Sequence, residues 1–215
     1  MRTLAILPIK SFAEAKRRLE TELAPGRRRA LAEAMFSDVL VALRRSPLDG
    51  ILVVSADHAA QRIAGGHGAE VLDDDQSGHN PAAARGIRYA RESGFERALL
   101  VPGDCPLLGS NDVDRLLARD AQGVTIVPDR HRTGTNALLL TPPDSIEPGF
   151  GPGSCARHVE TARAGGIKAE VLNVPSLALD VDTPDDLRAL EAALADTHGG
   201  AAHTRGMLRQ LSRSR

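Results

Sequence analysis

Aromatic residues and long apolar runs are scarce in this 215-residue chain. Aromatics make up 2% of the sequence and tryptophan is absent, which argues against the base-stacking platforms of single-strand nucleic-acid binders. Since the formal net charge is also only -1, we expect no nucleic-acid partner. The apolar runs fall far short of the roughly 20 residues that a bilayer span requires. We therefore expect no membrane-spanning segment either.

Cysteine is the next scarcity. Cys105 and Cys155 are too few for a disulfide framework or a cysteine metal cluster. They suit a reducing compartment, so we expect a cytoplasmic protein. The seven histidines include none whose context marks it as a base for Cys105, and we assign that thiol to packing rather than to nucleophilic chemistry.

Lysine is also rare, because the 27 basic residues include only three lysines, Lys10, Lys16 and Lys168. Two of the three lie six positions apart near the N-terminus. An ammonium group is a compact point charge and meets phosphate oxygens differently from a guanidinium fork. The pair indicates a phosphate site, with chance in a small sample as the alternative.

The remaining composition, 42% apolar and 26% charged, is typical of a globular domain. Short aliphatic runs alternate with amphipathic stretches, a pattern that predicts an α/β fold in which helices cover both faces of a largely parallel sheet. We expect one domain over 1–196 and a mobile basic tail over 197–215, where arginines occur without acidic residues. The predicted strands are 3–9, 50–54, 70–72, 98–102, 124–127, 137–141, 168–174 and 177–181, and the predicted helices are 27–45, 57–64, 81–93, 111–119, 155–164 and 184–195.

The first motif follows the first strand, where Ser11 and Glu14 match a helix capping box. Open α/β sheets bind ligands at the carboxyl ends of their strands, and a helix N-terminus attracts anions there. Adding Lys10, Lys16 and Arg18 predicts an anion site, with a solvated basic helix face as the alternative. No Walker-type glycine loop is present, so the chain is not a P-loop enzyme.

Two further motifs carry carboxylates. Gly103 and Asp104 end an apolar strand, and a carboxylate at this edge of the sheet could ligate Mg²⁺ together with substrate phosphates; a turn aspartate is the alternative. Asp180 and Asp182 alternate in a predicted strand and therefore share one face, which favours a cation between them. Alternatively, Asp182 or Thr183 merely caps the following helix.

Three loops offer hydroxyl groups and backbone N–H groups. The segments 129–136 and 149–154 could hold a small phosphorylated acid, or could be plain surface loops. The segment 73–81 opens a helix, with Asn80 as the predicted N-cap and base or ribose recognition as a second role.

Taken together, the motifs resemble the 2-phospholactate or phosphoenolpyruvate guanylyltransferases of coenzyme F420 biosynthesis. The resemblance covers about residues 3 to 195. It rests on the lysine-rich entry, Gly103 to Pro106, Thr133 to Asn136, Phe150 to His158 and Asp180 to Pro184. It implies an α/β fold with three layers and a Rossmann-like mixed sheet, of the nucleotide-diphospho-sugar transferase (glycosyltransferase A) type. It also implies an enzyme that uses GTP and Mg²⁺ and releases pyrophosphate. The wider superfamily opens with a glycine-rich loop, whereas this chain has Pro8, Ile9 and Lys10 there.

The resemblance also implies a role for each matching position. The metal falls to Asp104, Asp180 and Asp182, the triphosphate to Lys10, Lys16 and Arg18, and the acceptor acid to Thr135, Gly151 and Ser154. Gly103 and Asn80 fall where the family contacts the nucleotide. Lys10, Lys16 and Asp104 are the catalytic candidates.

Several alternatives stay open at this stage. The acceptor could be phosphoenolpyruvate, 2-phospho-L-lactate or 3-phosphoglycerate, and the protein could instead be a cytidylyltransferase or a sugar-phosphate nucleotidyltransferase. A GTP-binding sensor without turnover is a further alternative. Expected partners are GTP, a small phosphorylated carboxylic acid, a second copy of the chain, and the next enzyme of the pathway as recipient of the product.

Overall fold

A computed structural model describes residues 1–74, 78–119, 122–197 and 199–213 of the chain. Seven strands form one sheet: β1 Thr3–Pro8, β2 Gly50–Val54, β3 Glu70–Leu72, β4 Arg97–Leu100, β5 Gly123–Pro128, β6 Thr135–Thr141 and β7 Ala169–Val171. The helices are α1 Pro25–Arg44, α2 His58–Gly66, α3 His79–Glu92, α4 Ser110–Leu117, α5 Ser154–Ala164, α6 Pro175–Ala178, α7 Pro184–Ala195 and α8 Ala202–Arg213. Seven of the eight predicted strands and all six predicted helices are confirmed, with shifted ends.

The sheet has the strand order β3-β2-β1-β4-β6-β5-β7. Its strands are parallel except β6, which pairs antiparallel with both β4 and β5. The carboxyl ends of the parallel strands therefore meet the amino end of β6 at one edge. The mixed α/β architecture expected from the sequence is confirmed.

Alternating residues of each strand enter different cores, as the two-residue period of a strand requires. In β1, Ala5 and Leu7 pack in the core that contains α1, whereas Leu4 and Ile6 pack in the core under α3 and α5. Gly86 allows α3 to approach closely, because a Cβ there would lie 2.4 Å from Cγ2 of Ile6. The helices thus form a layer on each face of the sheet.

The predicted strand over 177–181 is wrong. Residues Pro175–Ala178 form the short helix α6, and Asp180 and Asp182 lie on the loop that follows it. Proline at the start of α6 is preorganised for a helical turn, and Leu177 is fully buried in the core beneath the sheet. The prediction that Asp180 and Asp182 share one face of a strand is therefore also wrong, although both carboxylates still lie at the same edge of the sheet.

The prediction of a mobile tail is also wrong for Ala202–Arg213, which form α8. Helix α8 packs against α1, with Leu208 and Leu211 buried in a third core beside α7. Both oxygens of the buried Asp38 on α1 accept from the first turn of α8: Oδ1 from His203 N at 3.0 Å and Oδ2 from Thr204 N at 2.8 Å. The arginines of the segment obscured this apolar stripe in the sequence. Residues 214 and 215 lie outside the described chain.

None of the helices in the described ranges is sufficiently long and apolar to traverse a bilayer.

Candidate active site

Lys16 joins two carboxylates that come from distant parts of the chain. Its Nζ donates to Oδ2 of Asp104, in the turn after β4, and to Oδ1 of Asp182 at 2.9 Å. The lysine side chain is only 6% exposed. The predicted convergence of the lysine and the carboxylates at the edge of the sheet is what the structure shows.

The segment that carries Lys16 has an unusual backbone. Where the capping box predicted one helix, two short 3-10 turns occur, Phe12–Glu14 and Arg17–Leu19, with Lys16 between them in the left-handed region at φ 58°. A residue with a Cβ is strained there by about 1–2 kcal/mol. In this conformation the Lys16 side chain forms both ion pairs. Burial alone would lower the pKa of Lys16, but Asp104 and Asp182 outweigh it and raise that pKa above its usual value.

The Asp182 loop is fixed by the start of α7. Thr183 is the N-cap and forms a capping box with Asp186, as the sequence indicated. Asp186 Oδ2 also accepts from Asp182 N at 3.1 Å, and Asp186 Oδ1 pairs with Arg130 at 2.6 Å. Because Thr183 performs the capping, the side chain of Asp182 faces Lys16 instead.

Asp180 is half-buried near Asp104 and Asp182. Burial raises its pKa, and the nearby charges of Asp104 and Asp182 add to that effect. Asn136, the second residue of β6, donates from Nδ2 to Asp180 Oδ1 at 3.1 Å and to the Leu177 carbonyl at 2.7 Å. Asn136 was not among the predicted site residues; its position in the loop motif directly after Thr135 was the available signal.

Two adjoining cavities open along this edge. One, of about 490 Å³, is lined by Lys10, Lys16, Gly103, Asp104 and Asp182 among others. The other, of about 510 Å³, shares Lys10 and runs away from Asp104 towards the ends of β2 and β3. A Cβ on Gly103 would lie 2.5 Å from Ile9 Cδ1, so glycine lets the β4 turn approach β1 at the floor of the cleft.

The predicted acceptor residues gather in a second cluster at the start of β6 and α5. Thr135 Oγ1 lies 3.0 Å from His158 Nδ1, and Gly149 N donates to His158 Nε2 at 2.9 Å. Ser154 is buried, and its Oγ lacks a hydrogen-bond partner among the described residues. Gly151 is exposed at φ 118°, a conformation that favours glycine. These three residues do not line the two cavities. Thr135 adjoins Asn136 in β6, but the two side chains point to opposite faces of the sheet, Thr135 towards His158 and Asn136 towards Asp180.

His158 is the buried centre of this second cluster. Burial, with a contribution from the charge of Arg157, lowers the pKa of His158 to about 4. The neutral ring accepts from Gly149 N through Nε2, so Nδ1 carries the hydrogen and donates to Thr135. The ring thereby fixes the 149–154 loop to β6.

Asn80 and Arg18, which were predicted to contact the nucleotide, do not line either cavity. Asn80 is not the N-cap of α3, which is Gly78. Its amide instead donates to the Phe150 carbonyl at 3.2 Å and accepts from Phe150 N at 2.8 Å. Arg18 is exposed and does not line either cavity, whereas its neighbour Arg17 lines one. Residues 75–77 of the 73–81 motif lie outside the described chain.

Cys105 is a packing residue, as expected. The thiol is fully buried, and burial followed by the charge of Asp104 raises its pKa well above the ordinary value. A protonated, inaccessible thiol is a poor nucleophile.

The described residues contain no group of three His, Cys, Asp or Glu side chains that could hold a metal ion by themselves. Mg²⁺, however, is usually bound through one or two carboxylates with substrate phosphates completing the shell. Asp104 and Asp182 are two such hard donors, and in this structure they converge on the positive charge of Lys16. The donor set thus fits a magnesium ion that arrives with a nucleotide.

Comparison with known proteins identifies the family to which this chain belongs. The family model described as "Guanylyl transferase CofC like" matches residues 3–214. The chain belongs to this family. The CofC-like match includes α8, which therefore lies within the family's domain, and the resemblance stated from the motifs is confirmed.

Individual CofC-like relatives agree with this assignment. The chain is 54% identical to a phosphoenolpyruvate guanylyltransferase of Conexibacter woesei, over 100% of this chain and 98% of the relative. It is 34% identical to a 2-phospho-L-lactate guanylyltransferase of Methanothermobacter thermautotrophicus, over 98% and 92%. A crystal structure from Desulfovibrio desulfuricans G20, provisionally described as a nucleotide-diphospho-sugar transferase, superposes with a TM-score of 0.80 at 17% identity and covers 100% of this chain and 98% of that one. The last comparison confirms the fold.

Proposed function

We propose that this guanylyltransferase transfers GMP from GTP to the phosphate of phosphoenolpyruvate, releases pyrophosphate, and serves coenzyme F420 biosynthesis. The observation that supports the proposal is the contact of Lys16 with Asp104 and Asp182 beside a cleft that Lys10 also lines. The 54% identity to a phosphoenolpyruvate enzyme over the whole chain favours that acid as acceptor.

Asp104 and Asp182 would hold Mg²⁺, and Asp180 would adjoin it. When bound, the ion supplies charge neutralisation at the triphosphate. Lys10 and Lys16 extend this neutralisation, because ammonium groups act as point charges on phosphate oxygens. The buried position of Lys16 keeps its charge poorly screened by solvent and therefore effective.

The reaction is an in-line substitution at the α-phosphorus of GTP. A phosphate oxygen of the acceptor forms the new P–O bond, and the bond to the β-phosphate oxygen breaks as its electron pair leaves with pyrophosphate. The attacking oxygen is already anionic near neutral pH, so no general base is required. The protein's contribution is to position two anions that repel each other and to stabilise the charge that moves to pyrophosphate.

The acceptor would lie against the 149–154 loop. Ser154 supplies a buried hydroxyl that lacks a protein partner among the described residues, at the first turn of the 11-residue helix α5. Thr135 and the exposed Gly151 complete the group. Helix N-termini and hydroxyls suit a phosphate or carboxylate, which supports an acidic acceptor over a neutral sugar.

Two assays test the proposal. The wild type is incubated with Mg²⁺, each of the four nucleoside triphosphates and each of three acids: phosphoenolpyruvate, 2-phospho-L-lactate and 3-phosphoglycerate. Pyrophosphate release is followed, and the product is identified by mass spectrometry, with the next enzyme of the pathway present to take up a labile product. Only GTP with phosphoenolpyruvate should give rapid turnover; binding of GTP with no product would favour the sensor, and turnover of CTP a cytidylyltransferase.

The second assay concerns Asp104. Asp104→Asn should lower turnover by about 100-fold or more, since it removes a carboxylate that would hold the magnesium ion at the reacting phosphates. Asp114→Asn, an exposed position on α4, is the matched control and should behave as the wild type. Near-normal turnover of Asp104→Asn would contradict its assignment as a metal ligand.

A further inference from the structure

The larger cavity is suited to the part of the nucleotide that carries no phosphate. The larger cavity shares Lys10 and His79 with the neighbouring cavity of about 490 Å³. Lys16, Asp104 and Asp182 line only that neighbouring cavity. If the triphosphate lies with Lys16, as the proposed function has it, the ribose and base extend into this larger cavity of about 510 Å³.

Three carboxylates line the larger cavity, and two of them are already engaged. Asp57 Oδ1 accepts from Ala59 N and Ala60 N, and its Oδ2 accepts from Phe12 N at 2.8 Å. Glu14 is largely exposed and pairs with Arg17 at 3.2 Å. Asp57 thus joins α2 to the Lys16 segment, and neither side chain has its full accepting capacity left for a ligand.

Asp74 is the third carboxylate, and it differs from the other two. Its Oδ1 is shielded from water and has no hydrogen-bond partner within the described part of the chain. A shielded carboxylate oxygen without a donor is unfavourable in the absence of a ligand. Asp74 is the second residue after β3 and lines this cavity as well as a smaller one that contains Arg85 and Arg88, neither of which bonds to its Oδ1. Its place on the wall of the first cavity is where a bound molecule would supply the missing donor.

A planar ring also lines this cavity. His79, the first residue of α3, lines the cavity and packs edge-on against Phe150 at 5.1 Å between ring centroids. Burial, followed by the charge of Lys10, lowers the pKa of His79, so its ring is neutral near pH 7. A neutral imidazole is a surface on which a nucleic-acid base can stack.

We infer that Asp74 selects guanine, by accepting hydrogen bonds from the N1–H and the 2-amino group of the base. Guanine presents these two donors side by side, in the geometry that a carboxylate accepts. Adenine presents an acceptor at N1, which would face the carboxylate with like partial charge. The inference rests on the proposed function for the identity of the nucleotide, and adds the residue that reads it.

The decisive variant is Asp74→Asn, tested with GTP and with xanthosine triphosphate. Xanthine keeps N1–H but replaces the 2-amino donor by a carbonyl acceptor, which pairs with an amide and not with a carboxylate. The expected change in the ratio of kcat/KM for the two nucleotides is about 1,000-fold or more in favour of the xanthine nucleotide. Asp73→Asn is the matched control, because Asp73 is exposed, bonds to Gln61 and does not line the cavity; its ratio should stay that of the wild type.

A second measurement uses the wild type alone, so that it does not depend on the folding of any variant. Inosine triphosphate lacks only the 2-amino group, and its kcat/KM should be lower than that of GTP by about tenfold or more. Equal use of the two nucleotides by the wild type, or a GTP preference retained by a folded Asp74→Asn, would overturn the role of Asp74. A wild type that does not use GTP with any acid would instead contradict the proposed function.

Discussion

Lys16 and Asp182 are 166 positions apart in the sequence, and Nζ of the lysine lies 2.9 Å from Oδ1 of the aspartate. The same ammonium also contacts Asp104. One positive charge therefore connects three segments that are distant in the sequence: the loop after β1, the turn after β4 and the loop before α7.

Lys16→Met tests this charge while keeping most of the apolar stem. Asp104 and Asp182 would then lose their ammonium partner, and we expect kcat to fall by about 100-fold or more, because the lysine's charge stabilisation at the reacting phosphates is lost. Pyrophosphate release at saturating substrates measures the effect. Lys168→Met is the matched control at an exposed lysine distant from the cleft, and a kcat of Lys16→Met close to that of this control would contradict the prediction.

Asn80→Ala distinguishes a contact to the nucleotide from a support of the acceptor loop. Because the Asn80 amide bonds to both backbone groups of Phe150, its loss should loosen the 149–154 loop. We expect KM for the acid to rise by about tenfold while KM for GTP is unchanged. Asn111→Ala, exposed on α4, is the control. A rise in KM for GTP alone would restore Asn80 as a nucleotide contact.

His158 predicts a dependence of stability on pH. Its pKa is about 4 in the fold against 6.5 ordinarily, so the unfolded chain binds more protons between these values and stability rises with pH across that window. The stabilisation is complete above about pH 6.5 and is lost as pH falls towards 4, an effect of at most about 3 kcal/mol. Urea unfolding of His158→Gln at several pH values should give a flatter profile than the wild type or His131→Gln, an exposed control; parallel profiles would exclude this origin.

Asp38→Ala tests the attachment of α8. The carboxylate caps the first turn of α8 from α1, and loss of a cap destabilises by about 1–2 kcal/mol. We expect the backbone amides of His203 and Thr204 to exchange hydrogen faster, with a lower free energy of unfolding by denaturant. Glu191→Ala, exposed on α7, should change neither. Unaltered exchange in Asp38→Ala would show that apolar packing alone holds the helix.

Much of the fold could be predicted because its signals are local. Strands such as β2 are continuous aliphatic runs, and α7 begins with an N-cap, a proline and an acid in sequence. The segment 177–181 has the same aliphatic composition, but Pro175 and the burial of Leu177 favour a helical turn. Helix α8 escaped prediction since its cap, Asp38, is 165 residues from the helix start that it stabilises.

The candidate site divides in the same way. Lys16, Asp104 and Asp182 could be predicted because each follows a strand or precedes a helix at the ligand-binding edge of an α/β sheet. Asn136 and His158 act through partners that only the tertiary structure supplies, such as the Leu177 carbonyl and the Gly149 amide. Asp74 is distinguished by a shielded oxygen without a partner among the described residues, which is equally a property of the tertiary structure. Spacing along the chain carries no information about these contacts.

The reversed direction of β6 has an evolutionary consequence. Its first residues, and not its last, reach the edge where Asp104 lies. The hairpin between β5 and β6 contacts the first turn of α5 beside the acceptor cluster, where the Thr133 carbonyl accepts from Cys155 N at 3.2 Å. A hairpin can gain or lose residues without disturbing the pairing of the strands that it connects. Preference for one acid over another would thus diverge within a lineage through changes in this single turn after Arg130, which pairs with Asp186, while Asp104 and Asp182, carried on other segments, stay where they are.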